Sequence, residues 1–226
     1  MDQRLQSRLD TALGTLMFCG MLTALYMALI EAPREITMGD LQRIFYFHVS
    51  AAIAGFAAFA VNFSASLLYL LRRNRQWDRI AVSAAEVGVI FFGMVLITGP
   101  IWAKPVWMVW WTWSPRLTTS LVLFLLYAGY LLLRTYFEDP ERRAIVSAVF
   151  GIVAFIDAPI VWFSIRWWRD IHPGPVLESG GLAASMRPAL YVCLTAFMLL
   201  MVYLMRRRYF LESMRDDLEQ LQRRTD

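Results

Sequence analysis

Cysteine is scarce in this 226-residue sequence: only Cys19 and Cys193 occur, each inside an apolar run. No CxxC pair is present, so thiol–disulfide exchange and covalent haem attachment through a CxxCH motif have no support. No GxxxxGK[ST] run occurs, so the chain does not hydrolyse ATP itself. Charge is also thin, at 18% of residues against 58% hydrophobic. No basic patch interleaved with aromatics stands on a soluble-type segment, which argues against nucleic acid as a partner. Internal repeats and low-complexity tracts are missing as well.

What the chain has is long apolar runs, with a mean hydropathy of +0.48. Several exceed the length needed to cross a bilayer as a helix. The pattern predicts an all-α polytopic membrane bundle of six transmembrane helices, over residues 12–30, 44–71, 80–101, 117–133, 144–165 and 188–205. The first run is longer than a usual signal-peptide core, and Glu31-Ala32-Pro33 makes a poor cleavage site, so a retained helix is expected. Residues 206–226 are highly charged and read as a solvated helix on the membrane surface. Six spans put both termini on one side. Fifteen of the 22 Lys and Arg lie in the tails and the 2–3 and 4–5 loops, and seven in the other three loops. The positive-inside rule then places both termini in the cytoplasm.

Residues 99–120, GPIWAKPVWMVWWTWSPRLTTS, lie between spans three and four and hold five of the nine tryptophans: Trp102, Trp107, Trp110, Trp111 and Trp113. Pro100, Pro105 and Ser114-Pro115 are expected to break helical continuity there. One reading is an interfacial aromatic belt. However, five tryptophans in twelve residues exceed what anchoring needs. The sharper reading is a flat aromatic platform holding a large planar ligand by stacking.

Only two histidines exist, His48 at the start of span two and His172 in the 5–6 loop. The charge count puts both on the outer face, with the tryptophans. Neutral imidazole is a normal axial ligand for haem iron. Two histidines without a carboxylate or cysteine cluster make a poor zinc site. A haem, another planar ligand and a purely structural role for the histidines all stay open on the residues alone. Haem propionates need cationic partners, for which Arg43, Lys104, Arg116, Arg166 and Arg169 are the outer-face options; the same arginines could also snorkel to headgroups. Glu86 and Asp157 lie within spans. Helix–helix hydrogen bonding suits them better than a proton path, and neither is assigned to the site.

The residues also carry a resemblance. WAKPVWMVWWTWSPRLTTS resembles the tryptophan-rich WWD signature of the haem-handling proteins of cytochrome c maturation. RIFYFHVSAA around His48 and RWWRDIHPG around His172 resemble that family's two histidine segments. The order His, Trp loop, His over roughly residues 40–205 looks like the CcmC type. The larger CcmF and CcsA-type synthase proteins carry additional histidines and spans and fit less well. The resemblance implies a component that is not an enzyme and binds b-type haem transiently and without a covalent bond, at the outer face of the bacterial or organellar inner membrane. It implies delivery to a CcmE-type haem chaperone, in association with CcmA/CcmB ABC transporter subunits and CcmD. Mapped by motif, His48 and His172 would be the axial ligands and Trp107, Trp110, Trp111 and Trp113 the platform; Arg43, five residues before His48, and Arg116, which closes the Trp-rich stretch, are the expected propionate partners by position alone. Two positions depart from the pattern. Trp113 is followed by Ser114 where the motif has Asp, and His48-Val49 by Ser50 where it has Pro. Ser50 would restore a backbone N–H at the helix entry. Competing classes are a transporter of another hydrophobic solute, a b-type electron-transfer protein and a structural subunit.

Overall fold

Apolar chain in a bilayer can satisfy its own N–H and C=O groups only by closing them within helices or barrels. The computed structural model describes residues 3–168, 172 and 181–225, and every named element among them is helical. The helices are α1 (Gln3–Tyr26, continued by a π-helical turn Met27–Glu31), α2 (Arg43–Arg72), α3 (Arg75–Trp107), α4 (Pro115–Leu133), α5 (Pro140–Phe155), α6 (Asp157–Trp167) and α7 (Arg187–Thr225). Six helical segments among the described residues are long and apolar enough to cross a membrane, α5 and α6 together forming one of them. The starts follow local chemistry. The Asn74 side chain accepts from Gln76 N (2.9 Å) before α3, and Asp139 accepts from Arg142 N (2.8 Å) before α5. Pro115 and Pro140 open α4 and α5 at a position where a missing N–H costs nothing.

In three places the helices run differently from the sequence expectation. First, α3 does not stop near residue 101. It continues through Pro100 and Pro105 to Trp107, and Met108, at φ 62°, ends it. Each proline removes one internal hydrogen bond, but in apolar surroundings leaving the helix would orphan several. The Trp-rich stretch is therefore part helix and part loop. Second, the fifth span is split. Pro159 has no N–H to give Phe155 O, and the chain turns at Ile156 between α5 and α6. Below the break α5 packs on α2, and above it α6 packs on α4. Third, α7 runs unbroken from Arg187 to Thr225, past residue 205. No Gly or Pro interrupts it after Pro188. Its charges pair with the bundle end: Asp216 with Arg75 (2.8 Å) and Arg79 (2.9 Å), Glu219 with Arg143 (3.0 Å), Arg206 with Asp10, and Arg208 with Glu86. Glu86 thus serves helix–helix pairing, and the Asp10–Arg206 pair shows that the first and last helices begin and finish at the same end of the bundle. Ser50 lies inside α2, seven residues past its start and not at its entry, where a proline would remove an internal hydrogen bond.

The most extensive packing is between the antiparallel helices α2 and α3. Phe92 of α3 lies over Gly55 of α2, and Phe59 of α2 lies over Gly88 of α3. In both helices the phenylalanine follows its glycine by four residues, so ring and gap share one face of each helix. A Cβ built on Gly55 would come within 2.6 Å of Phe92 Cδ2, and one on Gly88 would press still closer on Phe59 Cε1. Phe59 has no room to retreat: it is fully buried and stacks on Tyr127 of α4, centroids 3.7 Å apart at 9°. Gly88→Ala is expected to destabilise the bundle by about 1–3 kcal/mol, the usual cost of overpacking. Thermal unfolding of the detergent-purified variant checks it, and an unchanged midpoint would refute this packing.

Candidate functional site

At the bundle end where α2 begins and α3 finishes, the helices enclose a cavity of about 320 Å³. It sits between α2 and α6, where the turn at Ile156 has carried the upper half-span toward α4. Its deeper part is apolar, with Phe56, Phe92, Val161 and Trp162 at the bottom. Phe56 meets Phe92 (5.0 Å) and Trp162 (5.8 Å) edge-to-face. Its upper part holds the polar groups and tryptophans.

Both histidines of the chain line this cavity, brought together from α2 and from a position beyond α6. His48 is 9% exposed. Its Nδ1 is 2.8 Å from Thr98 Oγ1, its ring edge lies against Gly99, and the Trp102 ring is 6.2 Å away. Trp107, Trp110 and Trp111 also line the cavity, and so does Arg116 at the start of α4. Two of the expected site residues stand elsewhere. Trp113 is 75% exposed and touches only the rim, edge-on to Trp111 (6.0 Å, 80°). The Arg43 guanidinium donates to Ala28 O (3.1 Å) and Leu29 O and pairs with Asp40 (3.1 Å). It thus caps the carbonyl end of the first span. Of the other cations expected at the outer face, Arg166 lines the cavity. Lys104 donates to Met108 O (3.2 Å) and lies 6.0 Å over Trp110, tying down the loop of residues 108–114. Arg169 falls outside the described residues, as does the rest of the 5–6 loop between residues 173 and 180. Neither Glu86 nor Asp157 lines the cavity.

The tryptophans are not coplanar. Trp102 and Trp107 tilt by 54° to each other, and Trp111 and Trp113 by 80°. They make walls and a rim, not one flat floor. Sequence reading counted Trp102 in the Trp-rich stretch but left it out of the mapped platform, and it passed over Trp162 and Thr98. Trp102 is 5% exposed and joins Phe45 (6.1 Å), His48 and Trp107 in one ring chain. The signal was present in the spacing: once α3 runs on to Trp107, positions 95, 99, 102, 103 and 107 fall on one helical face.

The donor set decides which ligand these walls suit. Two imidazoles bring nitrogen donors, the indoles bring ring faces, and Arg116 and Arg166 bring positive charge of the kind that suits anionic groups. Among the described residues, the indole Nε1 atoms of Trp102 and Trp111 and the Thr112 hydroxyl are buried with no hydrogen-bond partner. A large planar metal complex with an anionic edge fits this combination. The volume is at the low end of small-molecule pockets.

A family model described as "Heme exporter protein C" matches residues 2–224 of the chain. Proteins similar to it include heme exporter protein C of Haemophilus influenzae, 33% identical over 189 residues, covering 82% of this chain and 77% of that one. The Bradyrhizobium diazoefficiens protein of the same name is 38% identical over 176 residues, 76% of this chain and 67% of that one. A ccmC-like mitochondrial cytochrome c biosynthesis protein of Marchantia polymorpha is 32% identical over 187 residues, 81% and 79% of the two chains.

Proposed function

This chain belongs to the heme exporter protein C family and is a multi-pass membrane protein of cytochrome c biogenesis, and from that premise we propose that it holds haem at the outer face of the membrane and hands it to a CcmE-type chaperone. The observation that carries the reading is one cavity lined by both histidines of the chain, by Trp107, Trp110 and Trp111, and by Arg116 and Arg166. Haem is the cargo. His48 and His172 hold its iron from the two sides, the indoles shield the macrocycle, and Arg116 and Arg166 meet the propionates. Handover is ligand exchange: the acceptor's groups replace the two imidazoles one at a time, and no covalent bond is made or broken by this chain. ATP hydrolysis belongs to the CcmA/CcmB subunits, with CcmD as a further partner. The outer placement rests on the charge count, which puts the cavity opposite the Arg-rich end.

The chain, purified in detergent after expression with ample haem, is expected to show a low-spin Soret band and to pass haem to a purified apo chaperone. Absence of that band would overturn the reading. The Trp110→Ala/Trp111→Ala double variant should keep the fold but loosen haem. Two lost ring contacts at about 0.5–1.5 kcal/mol each correspond to about 5- to 150-fold weaker retention. Wild-type retention and transfer by the double variant would remove the tryptophans from the mechanism.

A further inference from the structure

The imidazole of His48 has two nitrogens, and which one carries the proton decides which one can meet a metal. The contact at Nδ1 points to one of the two tautomers. Thr98 Oγ1 lies 2.8 Å from His48 Nδ1 and 2.7 Å from Met94 O, one turn back on α3. A hydroxyl has a single proton and two lone pairs. Where Oγ1 bonds Met94 O, the carbonyl has no proton to give and the Thr98 proton goes to it, as threonines in apolar helices commonly do. Only lone pairs are then left for the imidazole, and His48 must donate from Nδ1. Its Nε2 is left with the free lone pair.

We propose that Thr98 is the positioning residue of this site: it holds His48 in the tautomer that presents the Nε2 lone pair, and fixes the plane of the ring. The proposal rests on the reading of His48 as a haem ligand. Two further contacts restrict the same ring. A Cβ at Gly99 would come within 3.4 Å of His48 Cε1, so the imidazole edge lies close along the α3 backbone. Trp102, one turn on from Thr98, stands against it at 6.2 Å with a 58° tilt. Thr98, Gly99 and Trp102 all belong to one face of α3. The ring is thus bracketed by a hydrogen bond, a backbone surface and an indole before any ligand arrives. Partners of this kind orient metal-binding histidines and raise their basicity, and their loss typically costs about 10- to 100-fold in metal affinity.

The discriminating variants are Thr98→Val, which keeps the shape and removes the acceptor, and Thr98→Ser, which keeps it. In the haem-free protein labelled with ¹⁵N-histidine, His48 is expected to show a protonated Nδ1 in the wild type and in Thr98→Ser, and to shift toward the Nε2–H form in Thr98→Val. His172→Ala identifies the His48 resonances. With haem bound, Thr98→Val should retain haem about 10- to 100-fold more weakly and move the low-spin electron paramagnetic signal and the iron midpoint potential, while Thr98→Ser stays near the wild type. A wild-type tautomer and wild-type haem affinity in Thr98→Val, beside a His48→Ala variant that has lost haem, would overturn the positioning role and leave the ligand reading standing. Full haem retention by His48→Ala would bring down the ligand reading itself, and with it this proposal.

Discussion

Replacing His48 or His172 with alanine is expected to abolish stable haem retention, the largest functional effect any single substitution here should have. Both residues line one cavity, and they are the only two histidines in the chain, so no other imidazole can step in. Loss of a metal ligand should exceed the about 10- to 100-fold that loss of a ligand's hydrogen-bond partner typically costs. The measurement is the visible spectrum of the purified variants beside the wild type. The Soret band should vanish, or move to a high-spin five-coordinate position with the remaining haem lost on a desalting column. Because alanine vacates the imidazole's space in a pre-formed cavity, added free imidazole should restore part of the low-spin band in His48→Ala. Wild-type bands and retention in both variants would exclude the two histidines as axial ligands.

The largest stability effect is expected at the opposite end, at Arg134. This guanidinium donates to both carboxylate oxygens of Asp78 at 2.7 and 2.9 Å, and the two side chains are only 9% and 6% exposed. Arg134 lies where α4 ends and Asp78 in the first turn of α3, so the pair joins two spans. Arg134→Leu leaves a buried carboxylate with no counter-charge, which costs about 3–5 kcal/mol. For a chain of this size that corresponds to a midpoint lower by about 6–20 °C. Cys193, fully buried, reports unfolding to a thiol-reactive dye, provided the exposed Cys19 is first changed to serine. Arg134→Leu/Asp78→Leu should regain most of the loss, since both charges are then gone. A double variant as unstable as the single one would mean that packing, not the unpaired charge, sets the cost.

The six spans were legible because bilayer thickness imposes one length scale on apolar runs. The histidines and most of the tryptophans were legible because their rarity or density on one face has few bland explanations. Helix ends were not. Pro100 and Pro105 read as breakers by soluble-protein rules, while inside a bundle the helix outlasts them to Trp107. That misplaced end hid Trp102 and Thr98, which reach the site only as members of a continuous α3 face. Arg43 could not be separated from Arg116 by sequence: both precede or follow site motifs closely, yet the Arg43 guanidinium turns to the carbonyls of Ala28 and Leu29, while Arg116 lines the cavity. The continuation of α7 was equally hidden, because a charged helix looks solvated until its partners Arg75, Arg143 and Glu86 are brought beside it by the fold.

The ring-over-glycine pairs of α2 and α3 act as a vernier. Phe92 over Gly55, Phe59 over Gly88 and the His48 edge against Gly99 all lie on one antiparallel alignment of the two helices. A slip of one residue would turn each ring away by about 100° of helix rotation, so the alignment has a single setting. The depth of His48 is therefore written into the interior of the protein, seven and more residues from the surface it serves. A graft that exchanged residues 108–114 for another relative's loop would inherit a histidine already at its working height. Diversification of the rim can then proceed without re-solving the position of the His48 ring.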